Sequence, residues 1–275
     1  MIVVTIDGVN YETATDLLSD LFKVQSMTKI KCDVRPWSDS PEKGQPTILG
    51  LSCMWTGERI RNFSRNMHAR VNKKYNENWN LDFKDRNGEN MDTIFDHFKN
   101  VKLFVTQQGT NPYKNNEVWF KHFDNIRNTT LLPSEELSIF PTFYKKDYDL
   151  FWLHTGIVKM GVFQHGPYEQ GRMPACIPFD QIRKDKSFKR RVHYFAVNRY
   201  KFVIQECFVP FTDDIIVVSS DHGSGLHDQF DYKEVDEIFV IVNRKVDLSD
   251  IKYQWDIKKL ILRLKEQEEK EKSNK

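Results

Sequence analysis

The clearest central strand in the chain, Asp213 to Ser220 (DDIIVVSS), runs straight into two residues with metal-ligating chemistry. In IIVVSSDHGSG, Asp221 offers an anionic oxygen and His222 a neutral nitrogen, with a glycine turn behind them. That pairing suits zinc, manganese or a similar divalent ion. An Asp in this position equally suits a plain turn that closes a strand. Asp7 stands in the same relation to the apolar run Val3 to Ile6, preceded by Ile2. Two strands could therefore aim carboxylates at one point above a sheet edge, although Asp-Gly after a strand also marks an ordinary turn.

The elements that must position these groups follow a β-α-β rhythm, which predicts an α/β fold with a mostly parallel central sheet and helices on both faces. The first apolar run reads as a buried parallel strand, and ligands of such sheets bind at the carboxyl edge. Tyr11 to Phe22 has helical spacing, with Leu17, Leu18, Leu21 and Phe22 on one side, and a strand is expected near Ile30 to Val34. After the loop RPWSDSPEKGQP, TILGLSCMWTG suits a buried helix that begins at Thr47 and ends at Gly57. Asn90 to Asn100 (NMDTIFDHFKN) reads as a helix, Val101 to Thr106 and Leu150 to Leu153 as strands, and Val192 to Phe208 as a helix. Glu237 to Val242 gives a further strand and Ile251 to Leu264 a last helix. We divide the chain into a single α/β domain over 1–264 and a charged, frayed tail over 265–275.

Composition sets the class. With 39% hydrophobic, 29% charged and 13% aromatic residues, the chain can build a sizeable core. Its 41 basic and 39 acidic residues nearly cancel, so no overall field points to nucleic acid or an anionic membrane. The basic run Lys184 to Arg191 (KDKSFKRR) reads as a solvated helix face. Cysteines 32, 53, 176 and 207 form no CxxC pair, which fits a reducing compartment. MIVVTIDGVN lacks the pattern of an export leader, and no stretch of about 18 apolar residues occurs, so the expectation is a soluble cytoplasmic protein without a membrane partner.

SSDHGSG resembles the SDHG signature of the alkaline-phosphatase superfamily, whose sulfatases, nucleotide pyrophosphatases and phosphoethanolamine or lipoteichoic-acid transferases share one α/β fold. The motif order agrees. IVVTIDG resembles the family's first strand with its metal-binding acid, and Thr47 stands nine residues before Thr56. TILGLSCMWTG resembles the nucleophile helix of the phosphoethanolamine transferases, Cys-Met pair included, and LHTGIVKMGVFQHGPYEQGRMP resembles the strand and His-Gly-Pro segment of sulfatases and those transferases. The resemblance covers roughly residues 2 to 245, with a few extra residues ahead of His165.

The resemblance implies a role for each residue. Thr47 would be the nucleophile, since its hydroxyl is weak until a metal or base lowers its pKa. Asp7, Asp221 and His222, together with Thr47, would hold one divalent ion, zinc or manganese first, with calcium and magnesium also compatible. His165 would bind the anionic substrate or protonate the leaving oxygen, and His227 would face substrate. Without these motifs Thr47 reads as an N-cap and His165 as a loop histidine before a turn.

Departures from the family refine the chemistry. Type I sulfatases use a formylglycine made from Cys or Ser, which Thr47 cannot become, so phosphoesters are preferred to sulfate esters. No DxxxH follows Leu150, and His227 is the only histidine after His222, so one metal fits better than two. His154 is then a structural histidine or part of a rearranged second site. The absence of spanning helices argues against a lipid substrate. The expected function is a soluble phosphodiesterase or phosphoryl-group transferase acting on a small anionic ester. The alternatives are a non-catalytic binding protein on the same fold and an atypical sulfatase.

Overall fold

The computed structural model describes residues 1–32, 46–59, 89, 91–106, 126–131, 140–155, 186–223 and 237–274. Seven strands form one sheet: β1 (Ile2–Ile6), β2 (Ser26–Lys31), β3 (Val101–Thr106), β4 (Ile126–Leu131), β5 (Leu150–Thr155), β6 (Ile216–Ser220) and β7 (Glu237–Val242), in the order β2-β7-β6-β1-β5-β3-β4. β4, β3, β5, β1 and β6 are parallel, and β7 pairs antiparallel with both β6 and β2. Helices cover both faces, as the sequence leads one to expect.

β1 lies between β5 and β6 and is buried along its whole length, which is why IVVTI is apolar without alternation. Its side chains still alternate between two cores. Ile2, Val4 and Ile6 join Ala14 and Leu18 of α1 (Tyr11–Leu18), Phe143 of α3 (Phe140–Lys145), and Val197 and Tyr200 of α4 (Lys186–Val203). Val3 faces the opposite core, with Leu51, Met54 and Trp55 of α2 (Pro46–Thr56) and Ile257, Leu260, Ile261 and Leu264 of α5 (Asp256–Ser273). Full burial of each such side chain contributes about 1.5–3 kcal/mol, so the central strand is fixed from both sides.

The second core is centred on three aromatic rings. Trp55 packs on Phe95 and Trp152 with centroids 5.5 and 6.1 Å apart, and Phe95 and Trp152 are 6.3 Å apart. These tilted and edge-on contacts anchor the carboxyl half of α2 against β5. Gly57 then ends α2 with φ +73°, its N–H donating to Cys53 O at 3.0 Å.

Several elements differ from their sequence-based bounds. α1 stops at Leu18 because the Gln25 carboxamide takes the carbonyls of Leu18 and Ser19. β2 begins earlier than expected, at Ser26, and pairs antiparallel at the sheet edge; its lysines, Lys29 and Lys31, are exposed. The helix expected over Asn90 to Asn100 is only a 3-10 turn, Ile94–His97. The Asp96 carboxylate accepts from Thr93 N at 2.7 Å and Thr93 Oγ1 at 2.8 Å, closing a single turn locally. α4 begins at Lys186, so the second part of the basic run is helical as expected, and continues into a π turn, Ile204–Phe208. α5 begins at Asp256 rather than Ile251, and the stretch expected to fray is helical as far as Ser273, with ion pairs Lys265–Glu269 and Glu268–Lys272 along it. Cys32, Cys53 and Cys207 are not disulfide-bonded. No helix among the described residues is long and apolar enough to cross a membrane.

Candidate metal centre

Parallel pairing places the two acidic strand ends side by side. β1 and β6 are in register from Ile2↔Ile216 to Ile6↔Ser220, so the next residues, Asp7 and Asp221, leave the sheet together at its carboxyl edge. By alternation both lie on the face covered by α2 and α5. Asp7 N donates to Thr155 O at 2.9 Å and so extends the ladder with β5 by one step.

The two turns beyond the strands are tied to each other. Gly8 adopts φ +73°, a conformation other residues rarely take, and its N–H donates to Asp221 Oδ1 at 3.1 Å. Val9 N donates to Ser220 Oγ at 3.0 Å, and the Ser220 hydroxyl lies 2.7 Å from Ile6 O and 2.6 Å from His222 O, either of which can accept its hydrogen. Asp221 therefore has one oxygen engaged by the backbone and the other turned towards His222.

His222 completes the cluster. Its Nδ1 is 2.6 Å from Gly223 O, a carbonyl that can only accept, so Nδ1 carries a proton. Nε2 lies 3.2 Å from Asp7 Oδ1 and 3.4 Å from Asp221 Oδ2, with all three residues buried. Ligand atoms of Asp7, Asp221 and His222 fall within 4.8 Å of one another. Donors about 2.0–2.1 Å from a tetrahedral ion stand about 3.3 Å apart, so the two separations from His222 Nε2, and the mix of two carboxylates with an imidazole oriented by a backbone carbonyl, suit a divalent cation.

α2 reaches the same point. Gly50 abuts the end of β6 so closely that a Cβ there would lie 2.0 Å from Asp221 O. Thr47 is in the first turn of α2, three residues before Gly50, and three residues apart is one helix face. Thr47 therefore lies in the amino-terminal part of α2, at the positive end of the helix. The Thr47 side chain lies outside the described residues, as do His165 and His227.

His154 is not among the clustered ligand groups. Trp152 Nε1 donates to Thr5 Oγ1 at 3.2 Å, and Thr5 Oγ1 is 3.1 Å from His154 Nδ1, a buried chain across β5 and β1. Sequence reasoning missed Gly50 and Gln254. An isolated glycine inside an apolar helix was a signal for the first; nothing local distinguishes the second.

No protein-family model matches the sequence, and no curated protein matches it. Solved structures do. The C-terminal periplasmic domain of EcEptC from Escherichia coli matches with a TM-score of 0.51 and 11% identity, over 94% of this chain and 79% of that one. The lipoteichoic acid synthase LtaP from Listeria monocytogenes matches with a TM-score of 0.51 and 11% identity, over 96% of this chain and 71% of that one. The chain shares its α/β fold with both. At this identity the likeness is one of fold.

Proposed function

We propose that the chain is a one-metal phosphodiesterase or phosphoryl-group transferase that works through a phospho-Thr47 intermediate. The observation that supports it best is the meeting of Asp7, Asp221 and His222 at one buried point, with Gly50 of α2 packed against the backbone of Asp221. Asp7, Asp221 and His222 would hold a divalent ion, zinc or manganese by their mixed oxygen and nitrogen donors, with Thr47 as the fourth ligand. When bound, the ion lowers the pKa of the Thr47 hydroxyl and offsets negative charge on the ester oxygens. Thr47 Oγ, its proton released to solvent, would attack phosphorus, the bond from phosphorus to the leaving oxygen would break, and His165 would give that oxygen a proton. Water or an acceptor alcohol, losing its proton to His165, would then attack phosphorus and break its bond to Thr47 Oγ, which returns the enzyme. The amino end of α2 adds a field that favours the anionic substrate, a small phosphoester, and His227 contacts it.

Thr47 favours phosphate over sulfate chemistry. Cys32, Cys53 and Cys207, none of them disulfide-bonded, accord with a reducing, cytoplasmic setting, which cell fractionation would test.

Turnover of bis(p-nitrophenyl) phosphate by purified protein, with Mn2+ or Zn2+ added and removed, tests the proposal. The expected result is metal-dependent turnover that Thr47→Ala abolishes while metal binding, weakened by the loss of one ligand, persists through Asp7, Asp221 and His222. Metal binding without turnover of any phospho- or sulfoester, unaffected by Thr47→Ala, would overturn it.

A further inference from the structure

We infer that Gln254 is a positioning residue for the metal centre: its carboxamide holds the backbone carbonyl of Asp221 and so sets the direction in which the Asp221 carboxylate is presented. The inference rests on the metal reading above and concerns a residue 33 positions further along the chain.

Asp221 lies one residue beyond Ser220, the last paired residue of β6, so its carbonyl has no strand partner. Gln254 supplies one: Nε2 donates to Asp221 O from a side chain that is fully buried. Gly50 leaves the room, since a Cβ there would also lie 2.9 Å from Gln254 Nε2. The carboxamide thus sits where α2, the end of β6 and the start of α5 meet.

The backbone behind it is pinned. Gln254 N donates to Lys31 O at 2.9 Å, which fastens the residue to the end of β2. The Asp256 carboxylate accepts from Lys252 N and Tyr253 N, both at 2.8 Å. The Tyr253 and Trp255 rings stack at 4.6 Å with 5° between their planes. A long side chain on so fixed a base has little freedom in where its amide arrives.

The other end of the carboxamide shows what the residue is for. Gln254 Oε1 is buried and makes no hydrogen bond. An unmade buried acceptor is costly, and Met or Leu would fill the same space without that cost. A glutamine there is explained by its donor. Because Asp221 and the Gly50 turn of α2 both bear on that donor, Gln254 joins the metal-binding acid to the helix that carries Thr47. Partners that orient metal ligands from behind commonly account for about 10–100-fold in metal affinity.

Mn2+ and Zn2+ binding by isothermal titration, paired with thermal unfolding in excess EDTA, tests the role on the full chain. Gln254→Met is expected to weaken Mn2+ binding about 10-fold. Gln254→Asn keeps an amide but withdraws it by one methylene, and carries the same expectation if the Met variant does not fold. Ile257→Val, a buried change in α5 that touches neither Gln254's amide nor Asp221, should lower the unfolding temperature and leave the metal affinity within about twofold. Unchanged Mn2+ and Zn2+ affinity in both Gln254 variants, with wild-type protein binding normally, would overturn the positioning role alone. No metal binding by the wild-type chain would overturn the metal reading and this inference with it.

Discussion

Gly50→Ala should damage the metal centre even though alanine is the better helix former. In an exposed helix the change stabilises by about 1 kcal/mol. Here the new Cβ would lie 2.0 Å from Asp221 O and 2.9 Å from Asp221 C, both backbone atoms. Carbon atoms rest roughly 3.5 Å or more from their neighbours, so α2 and the end of β6 must part by about 1 Å or more. Overpacking of this kind costs about 1–3 kcal/mol, and the upper end applies because neither partner is a flexible side chain. The net is a loss of about 2 kcal/mol, a fall of about 4–8 °C in unfolding temperature for a chain of this size. Metal sites tolerate about 0.2 Å in ligand distance, so Mn2+ affinity should fall further than stability does. Calorimetric unfolding with EDTA and with Mn2+, on wild type and variant, reads both effects. A variant that melts 2–4 °C higher, as helix propensity alone would give, and binds Mn2+ like wild type would refute the close approach of α2 to Asp221.

Three further outcomes follow from the same contacts. Asp221→Asn keeps an acceptor for Gly8 N–H but removes one of two converging buried charges, so it should raise the metal-free unfolding temperature while weakening metal binding by more than about 100-fold; paired EDTA and Mn2+ melts show whether the signs are opposite. Burial pulls the His193 imidazole down to about 4, and its Nε2 makes no hydrogen bond. Its unfolded form takes up a proton near pH 6.5 and its folded form only near pH 4, so stability is whole above pH 6.5 and falls through this window by about 3 kcal/mol; urea titrations against pH should show that slope reduced in His193→Leu. Trp55→Ala removes the ring between Phe95 and Trp152 and should cost about 3–5 kcal/mol in denaturant titration.

How much of this was legible in the sequence depends on how locally each feature is encoded. β1, β6 and β7 are continuous apolar runs because both sheet faces are covered, and such runs show themselves. The meeting of Asp7, Asp221 and His222 was legible because Asp7 and Asp221 directly follow their strands and His222 comes one residue later. The length of the Asn90 to Asn100 element was not, because the Thr93 and Asp96 contacts compete with helix propagation. The start of α5 was hidden for a different reason. Ile251 and Tyr253 look like helix positions, yet the backbone of Lys252 and Gln254 is taken by Lys31 in β2, far away in the chain. Gln254 is the extreme case, since neither of its principal partners is a neighbour in sequence and a lone glutamine carries no periodicity.

The register that sets Asp7 beside Asp221 also dictates when the centre can exist during folding. β1 is made first but has to wait for β5 and then β6 before either of its edges is paired. Contacts between residues so distant in sequence close large loops and tend to form slowly. A chain refolding from denaturant should regain helical signal from α1 and α4 before it can capture Mn2+, so metal uptake in a stopped-flow experiment would time the pairing of β1 with β6.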